Sequence, residues 1–105
     1  MSYNIRLTPE ARGDLRRIHS AIAVELKNLE AAKNLVEAIL KDISALWRFP
    51  KLGMSVEAKT GRKTDLFYLI SGSYLAFYRI EDKMISITRI LDGRSDYLRF
   101  IFGED

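Results

Sequence analysis

Two amphipathic stripes in immediate succession constrain this chain more than any other feature. Ala11, Leu15, Ile18, Ile22, Leu26 and Leu29 recur at steps of three or four, and Val36, Ile39, Ile43 and Leu46 do the same. Each set lays one apolar stripe along a helix. Thr8-Pro9-Glu10 supplies a capping hydroxyl, a proline suited to the first helical position and an acid at the positive helix end. The first helix is therefore predicted to start at residue 9. Asn28 marks a break, and a second helix is predicted from about Glu30 to Trp47, stopped by Phe49-Pro50. So short a break implies a helical hairpin with both stripes facing one partner.

The rest of the chain supplies that partner. Tyr3-Asn4-Ile5-Arg6-Leu7 alternates apolar and polar, the pattern of a half-buried strand. Asp65 to Ile70, Tyr74 to Ile80 and Met84 to Leu91 are rich in Tyr, Phe, Ile and Thr, which suit strands. Ser71-Gly72-Ser73 and Glu81-Asp82-Lys83 are short enough for hairpin turns. Residues 51–63 read as a loop, and the tail from Gly93 to Phe102 has no decisive pattern. The expected fold is α+β. An N-terminal strand leads into a helical hairpin, which packs on one face of an antiparallel sheet completed by three C-terminal strands. The other face is expected to lie open and to offer a binding surface.

The length of 105 residues fits a single domain, 1–105. No apolar run approaches the ~20 residues that span a bilayer, and Met1-Ser2-Tyr3-Asn4-Ile5-Arg6 lacks the apolar centre of a signal peptide. The chain has no cysteine, which rules out disulfides, thiol nucleophiles and zinc–thiolate sites and suits the cytoplasm. The single histidine, His19, lies on the first helix, so neither a histidine metal cluster nor a Ser–His–Asp set is available. Gly53 and Gly61 stand too far apart for a phosphate-binding loop. No metal or cofactor is expected.

A net charge of +3 names no partner, but the positions of the arginines are more informative. Arg79 and Arg89 fall within predicted strands, and Arg94 and Arg99 follow in the tail with Tyr97 between them. A guanidinium fork suits phosphate or carboxylate recognition, and neighbouring rings can stack on bases or on a partner's side chains. The plainer alternative is that Arg79 and Arg89 face solvent or pair with Glu81, Asp82 or Asp92. Tyr68, Tyr74 and Tyr78 read as the rim of the core, whereas Tyr97 sits in the charged tail. Lys51, Lys59, Arg62 and Lys63 read as a solvated loop surface.

Four segments in this order resemble the RelE/ParE superfamily, the toxins of type II toxin–antitoxin systems, which include plasmid-stabilisation proteins. They are Leu7-Thr8-Pro9-Glu10-Ala11, Phe49-Pro50-Lys51-Leu52-Gly53, Tyr74-Leu75-Ala76-Phe77-Tyr78-Arg79-Ile80, and Arg89-Ile90-Leu91-Asp92-Gly93-Arg94-Ser95-Asp96-Tyr97-Leu98. The resemblance implies a bacterial cytoplasmic toxin and a cognate antitoxin that wraps it, with toxin–antitoxin hetero-oligomers by analogy. It also implies one of two targets. ParE-like members inhibit DNA gyrase. RelE-like members cut mRNA on the ribosome without a metal, using arginines, lysines and a tyrosine.

RelE-like toxins typically carry an arginine at the start of the strand that here reads Tyr74-Leu75-Ala76, and this chain lacks it. The Asp92-Gly93-Arg94-Ser95-Asp96 ending looks ParE-like. The resemblance therefore favours gyrase inhibition, with Arg79, Arg89, Arg94, Tyr97 and Arg99 as target-binding residues. The alternative is a RelE-like endoribonuclease using Arg79, Arg89, Arg94 and Tyr97 catalytically. A non-toxic partner-binding domain is the second alternative. Ile101 and Phe102, at an end where little core remains to be filled, are candidates for antitoxin contact.

Overall fold

Local capping fixes the hairpin. In a computed structural model, residues 3–103 are described. Strand β1 (Asn4–Leu7) runs into Thr8, whose hydroxyl accepts from the Ala11 amide and caps helix α1 (Pro9–Leu26). Lys27 turns left-handed at φ 51°, and the Asn28 side chain accepts from the Ala31 amide to start α2 (Leu29–Ser44). The second helix tightens into a 3-10 turn over Ala45–Trp47. The predicted helix to Trp47 is thus α-helical only to Ser44.

The sheet has five strands in the order β1-β5-β4-β3-β2. Strands β3 (Phe67–Ser71), β4 (Tyr74–Glu81) and β5 (Met84–Asp92) form the predicted antiparallel meander. Gly72 takes φ 59° in the first turn and Asp82 φ 56° in the second, the conformations that tight hairpins demand. Strand β1 pairs parallel to β5, so the sheet is mixed rather than purely antiparallel. The segment expected to be loop contains a two-residue strand, β2 (Met54–Ser55), and a short helix, α3 (Val56–Thr60). The tail forms helix α4 (Tyr97–Phe102).

Two apolar layers flank the sheet. The hairpin covers the first, where Ala11, Leu15, Ile39, Ile43 and Leu46 meet Leu69, Ala76, Tyr78, Ile85, Ile87 and Ile90. Tyr78 is fully buried there and stacks on Phe67 with ring centroids 5.4 Å apart. Its phenol donates to the Pro50 carbonyl at 2.8 Å and accepts from the Gly53 amide at 3.0 Å. This clamp leaves no room for a side chain at position 53, since a Cβ would lie 2.6 Å from the Tyr68 carbonyl oxygen.

The second layer corrects the expectation of an open face. Val56, Leu66, Tyr68, Leu75, Phe77 and Leu91 form a second buried cluster. Tyr97, Ile101 and Phe102 of α4 pack against it. An aromatic sheet face left bare would expose a large apolar patch, and the two short helices missed in the sequence supply its cover. Ile101 and Phe102 therefore have core to cover, contrary to the expectation that little remained at this end. Met1 and Ser2, which entered the signal-peptide reading, lie outside the described residues.

Candidate functional site

The site grows from an irregularity in β5. Phe77 pairs with Arg89, but the next residue, Tyr78, pairs with Ile87. Thr88 is therefore the extra residue of a β-bulge, a feature that re-aims neighbouring side chains. Strand β1 ends at Leu7, opposite Ile87, so the outer edge of β5 beyond that point has no strand neighbour. The start of α1 satisfies it instead. The Thr8 amide donates to the Ile87 carbonyl at 3.0 Å, and its hydroxyl to the Thr88 carbonyl at 3.0 Å. The Asp14 carboxylate then accepts from the Ile90 amide at 2.8 Å. A helix side chain thus takes the place of the missing strand.

Asp14 is the organising charge. Its side chain is only 2% exposed, and Arg89 engages it with Nε at 2.8 Å and Nη2 at 2.9 Å. Arg17, one turn further along α1, donates to the same carboxylate. Two N–H groups aimed at two carboxylate oxygens form the strong planar fork that arginine makes best. The hydrogen bonds it donates to Asp14 hold Arg89 more firmly charged than an ordinary arginine. Phe100 of α4 lies over the Arg89 guanidinium, 5.4 Å from ring centroid to Cζ.

Arg89 and Phe100 separate two clefts. One, of about 240 Å³, is lined by Thr8, Glu10, Arg79, Thr88, Arg89 and Phe100, among others. The other, of about 430 Å³, has Asp14, Arg17, Tyr74, Asp92 and Ser95 in its wall. Burial against the second cleft, with the Asp92 charge nearby, pushes the Tyr74 phenol up from its ordinary pKa.

The structure brings only part of the predicted set together. Arg79 and Arg89 share the smaller cleft. Arg94, Tyr97 and Arg99 line neither cleft. Arg79 is held by Asp65, with Nε 3.3 Å from both oxygens and Nη2 3.2 Å from one. Arg94 is held by Asp92, through Nε at 3.0 Å, Nη2 at 2.8 Å and its own amide at 2.8 Å. These contacts push the Asp92 carboxyl below the usual carboxylate range. Arg79 and Arg89 are thus paired, as the plainer reading allowed, but with Asp65 and Asp14 rather than Glu81, Asp82 or Asp92. Arg99 sits exposed on α4.

Tyr97 belongs to the second apolar layer more than to a charged tail. Its ring lies 5.6 Å from that of Phe77. The nearby Tyr97 phenol pushes the Lys59 ammonium up from its ordinary pKa. The Lys59 amine also sits 5.0 Å above the Tyr68 ring. Lys59 and Asp14 are the site residues missed in the sequence. Lys59 read as loop surface because α3 was not recognised, and Asp14 carries no local signal of its partner. His19 is half-buried on α1, beside the stripe. Among the described residues no group of three or more His, Asp or Glu side chains converges in a way that could hold a metal ion.

Fold and site define a small α+β protein, a helical hairpin on a five-stranded mixed sheet with an arginine–aspartate fork at the edge of β5. Two solved structures share the architecture. The chromosomal ParDE toxin–antitoxin system from P. aeruginosa aligns with a TM-score of 0.74 at 22% identity, over 87% of this chain and 96% of that one. The RelBE2 toxin–antitoxin complex from Mycobacterium tuberculosis aligns with a TM-score of 0.55 at 25% identity, over 88% of this chain and 99% of that one. No curated protein sequence gave a significant match. Residues 5–97 match the family described as the ParE toxin of the type II toxin–antitoxin system, parDE. The chain belongs to the ParE toxin family.

Proposed function

We propose that this toxin acts by binding rather than by cutting. Its target on this reading is DNA gyrase, and a cognate antitoxin neutralises it in a toxin–antitoxin hetero-oligomer. The observation that carries the reading is the occupancy of the arginines. Metal-free RNA cleavage needs an activated 2′-hydroxyl, a cation facing the phosphate and an acid for the leaving oxygen. Here Arg79, Arg89 and Arg94 are each engaged by a carboxylate, from Asp65, Asp14 and Asp92. Tyr97 lines neither of the clefts beside Arg89. Such forks build a rigid, charge-patterned surface suited to a partner protein. Arg94 and Arg99 are its exposed cations.

The family membership supports an antitoxin partner. No helix among the described residues is long and apolar enough to cross a membrane, and we place the protein in the cytoplasm. One observation favours the second reading, RelE-like mRNA cleavage: the Lys59 ammonium beside the Tyr97 phenol joins a phosphate-binding cation to a proton donor.

Two assays on arrested cells separate the readings. After induction, gyrase inhibition predicts relaxed reporter plasmid and intact translated mRNA. Cuts within the ribosomal A site on primer extension, abolished by Arg94→Ala or Tyr97→Phe, would establish the cleavage reading instead.

A further inference from the structure

The end of the hairpin opposite its Lys27–Asn28 turn gathers rings and cations that no step so far has used. The Tyr3 amide donates to the Trp47 carbonyl at 3.0 Å, and the Asn4 amide to the Lys83 carbonyl at 2.7 Å. These two bonds tie the start of β1 to the 3-10 turn after α2 and to the β4–β5 turn. Tyr3, Trp47 and Phe49 are thereby brought to one end of the molecule. Trp47 is 45% exposed and Phe49 59%. The Arg48 guanidinium lies over both rings, with Cζ 5.9 Å from the Trp47 centroid and 5.8 Å from that of Phe49. The Lys83 amine lies 5.1 Å from the centre of the Tyr3 ring.

The surroundings indicate what fits. A cleft of about 550 Å³ opens here, lined by Tyr3, Arg48, Phe49, Pro50, Lys51 and Leu52. Among the described residues no acid lines it, so it favours an anionic occupant. The main chain of its walls is already spent. The Arg48 and Phe49 amides donate to the Ala45 carbonyl, the Leu52 amide to the Phe49 carbonyl, and the Pro50 carbonyl accepts from the Tyr78 phenol. A peptide strand would find little backbone to pair with, and recognition falls to the side chains. Insertion into a lipid surface needs rings that project beyond their cations, whereas these rings border a cleft and share one guanidinium. Rings interleaved with cations are the pattern that holds single-stranded nucleic acid, with bases stacked on the rings and phosphates against the cations. A duplex keeps its base faces buried in its own stack and cannot use the rings.

We propose that the cleft bordered by Tyr3, Trp47 and Phe49 binds a short stretch of single-stranded nucleic acid. Its bases stack on the exposed faces of Phe49 and Trp47, and its phosphates lie against Arg48 and Lys51. The contacts are to bases and phosphates, so DNA and RNA strands are both accepted. This goes beyond the gyrase reading and does not rest on it: the site uses none of the arginines of β4, β5 and the tail.

The test titrates the full chain with fluorescein-labelled oligothymidylate and reads anisotropy for affinity. Trp47 is the one tryptophan of the sequence, so its emission reports on the cleft itself and should be quenched as the oligonucleotide binds. Oligouridylate should do the same, and a duplex of equal length should bind at least tenfold more weakly. Arg48→Glu and Phe49→Ala should each weaken oligothymidylate binding at least fivefold. Lys33→Glu makes the same charge change near the other end of α2, about 20 Å away at ~1.5 Å per residue and beyond the ~8 Å reach of screened charge. It should change affinity less than twofold. Absence of binding, unquenched Trp47, wild-type affinity in Arg48→Glu and Phe49→Ala, or equal affinity for the duplex would overturn the proposal. Equal weakening by Lys33→Glu would show diffuse attraction to net charge and overturn it too. Polyglutamate and phosphatidylglycerol vesicles should leave Trp47 emission unchanged. An equal response to polyglutamate, or a blue shift on the vesicles, would assign the cleft to an acidic protein or to a membrane instead. Gyrase inhibition is read in a separate assay, so either reading can fail while the other stands.

Discussion

Truncating Asp14 to alanine tests whether one buried carboxylate joins α1 to β5. The substitution strands the Arg89 guanidinium, whose side chain is 22% exposed, and leaves the Ile90 amide without its acceptor. Breaking one partner of a buried pair typically costs ~3–5 kcal/mol. The partial exposure of Arg89 argues for the lower end. Arg17, 68% exposed, adds little because its guanidinium can return to water. The orphaned amide accounts for ~1–2 kcal/mol of the total. The expected loss is therefore about 3 kcal/mol, a large share of the ~5–15 kcal/mol that holds such domains. With an m-value of ~2 kcal/mol/M, the urea midpoint should fall by about 1.5 M. At ~4 °C per kcal/mol, the melting temperature should fall by about 12 °C. The double variant Asp14→Ala/Arg89→Met removes the stranded charge as well, and should be no less stable than Asp14→Ala alone. A midpoint shift equivalent to less than ~1 kcal/mol, or strictly additive losses in the double variant, would refute the reasoning.

The Tyr78 clamp makes a second prediction. Tyr78→Phe leaves the Gly53 amide and Pro50 carbonyl without their partner, and should cost ~1–3 kcal/mol in urea unfolding. Burial pushes the Tyr78 phenol above its ordinary pKa. The folded protein therefore keeps a proton that the unfolded chain gives up near pH ~10. Stability from this group is full below that pH and falls as pH rises toward the folded value, and Tyr78→Phe should flatten that alkaline slope. Gly53→Ala drives a Cβ to 2.7 Å from the Tyr78 hydroxyl and 2.6 Å from the Tyr68 carbonyl oxygen. Overpacking of this kind should cost ~1–3 kcal/mol, read as a lower melting temperature by circular dichroism.

The hairpin and the meander were legible because their signals are local. Thr8 and Asn28 cap helices in the structure, and the apolar steps from Ala11 to Ile18 and from Val36 to Leu46 do face the sheet. The stripe beyond Ile22 does not hold, because Leu26 and Leu29 project from the hairpin tip into solvent. Strand β2 has two residues and α3 has five, too few for any period to show. That loss hid Lys59 and, with the undecided tail, the cover over Phe77. The parallel pairing of β1 depends on a return across the whole chain rather than on a turn. The bulge at Thr88 leaves no mark in composition. Asp14 finds Arg89 across a separation of 75 residues, so no spacing could have joined them. A strand arginine can be recognised in sequence, but whether it is spent on an internal carboxylate is decided by the fold.

The most direct test of the central claim is a supercoiling assay with purified components. DNA gyrase and relaxed plasmid are incubated with rising amounts of the chain, in a preparation already shown to arrest growth when expressed. Binding to gyrase predicts loss of supercoiling or accumulation of gyrase–DNA cleavage complexes, reversed by the antitoxin. Full supercoiling at every toxin concentration, from a chain that still arrests cells, would contradict the account.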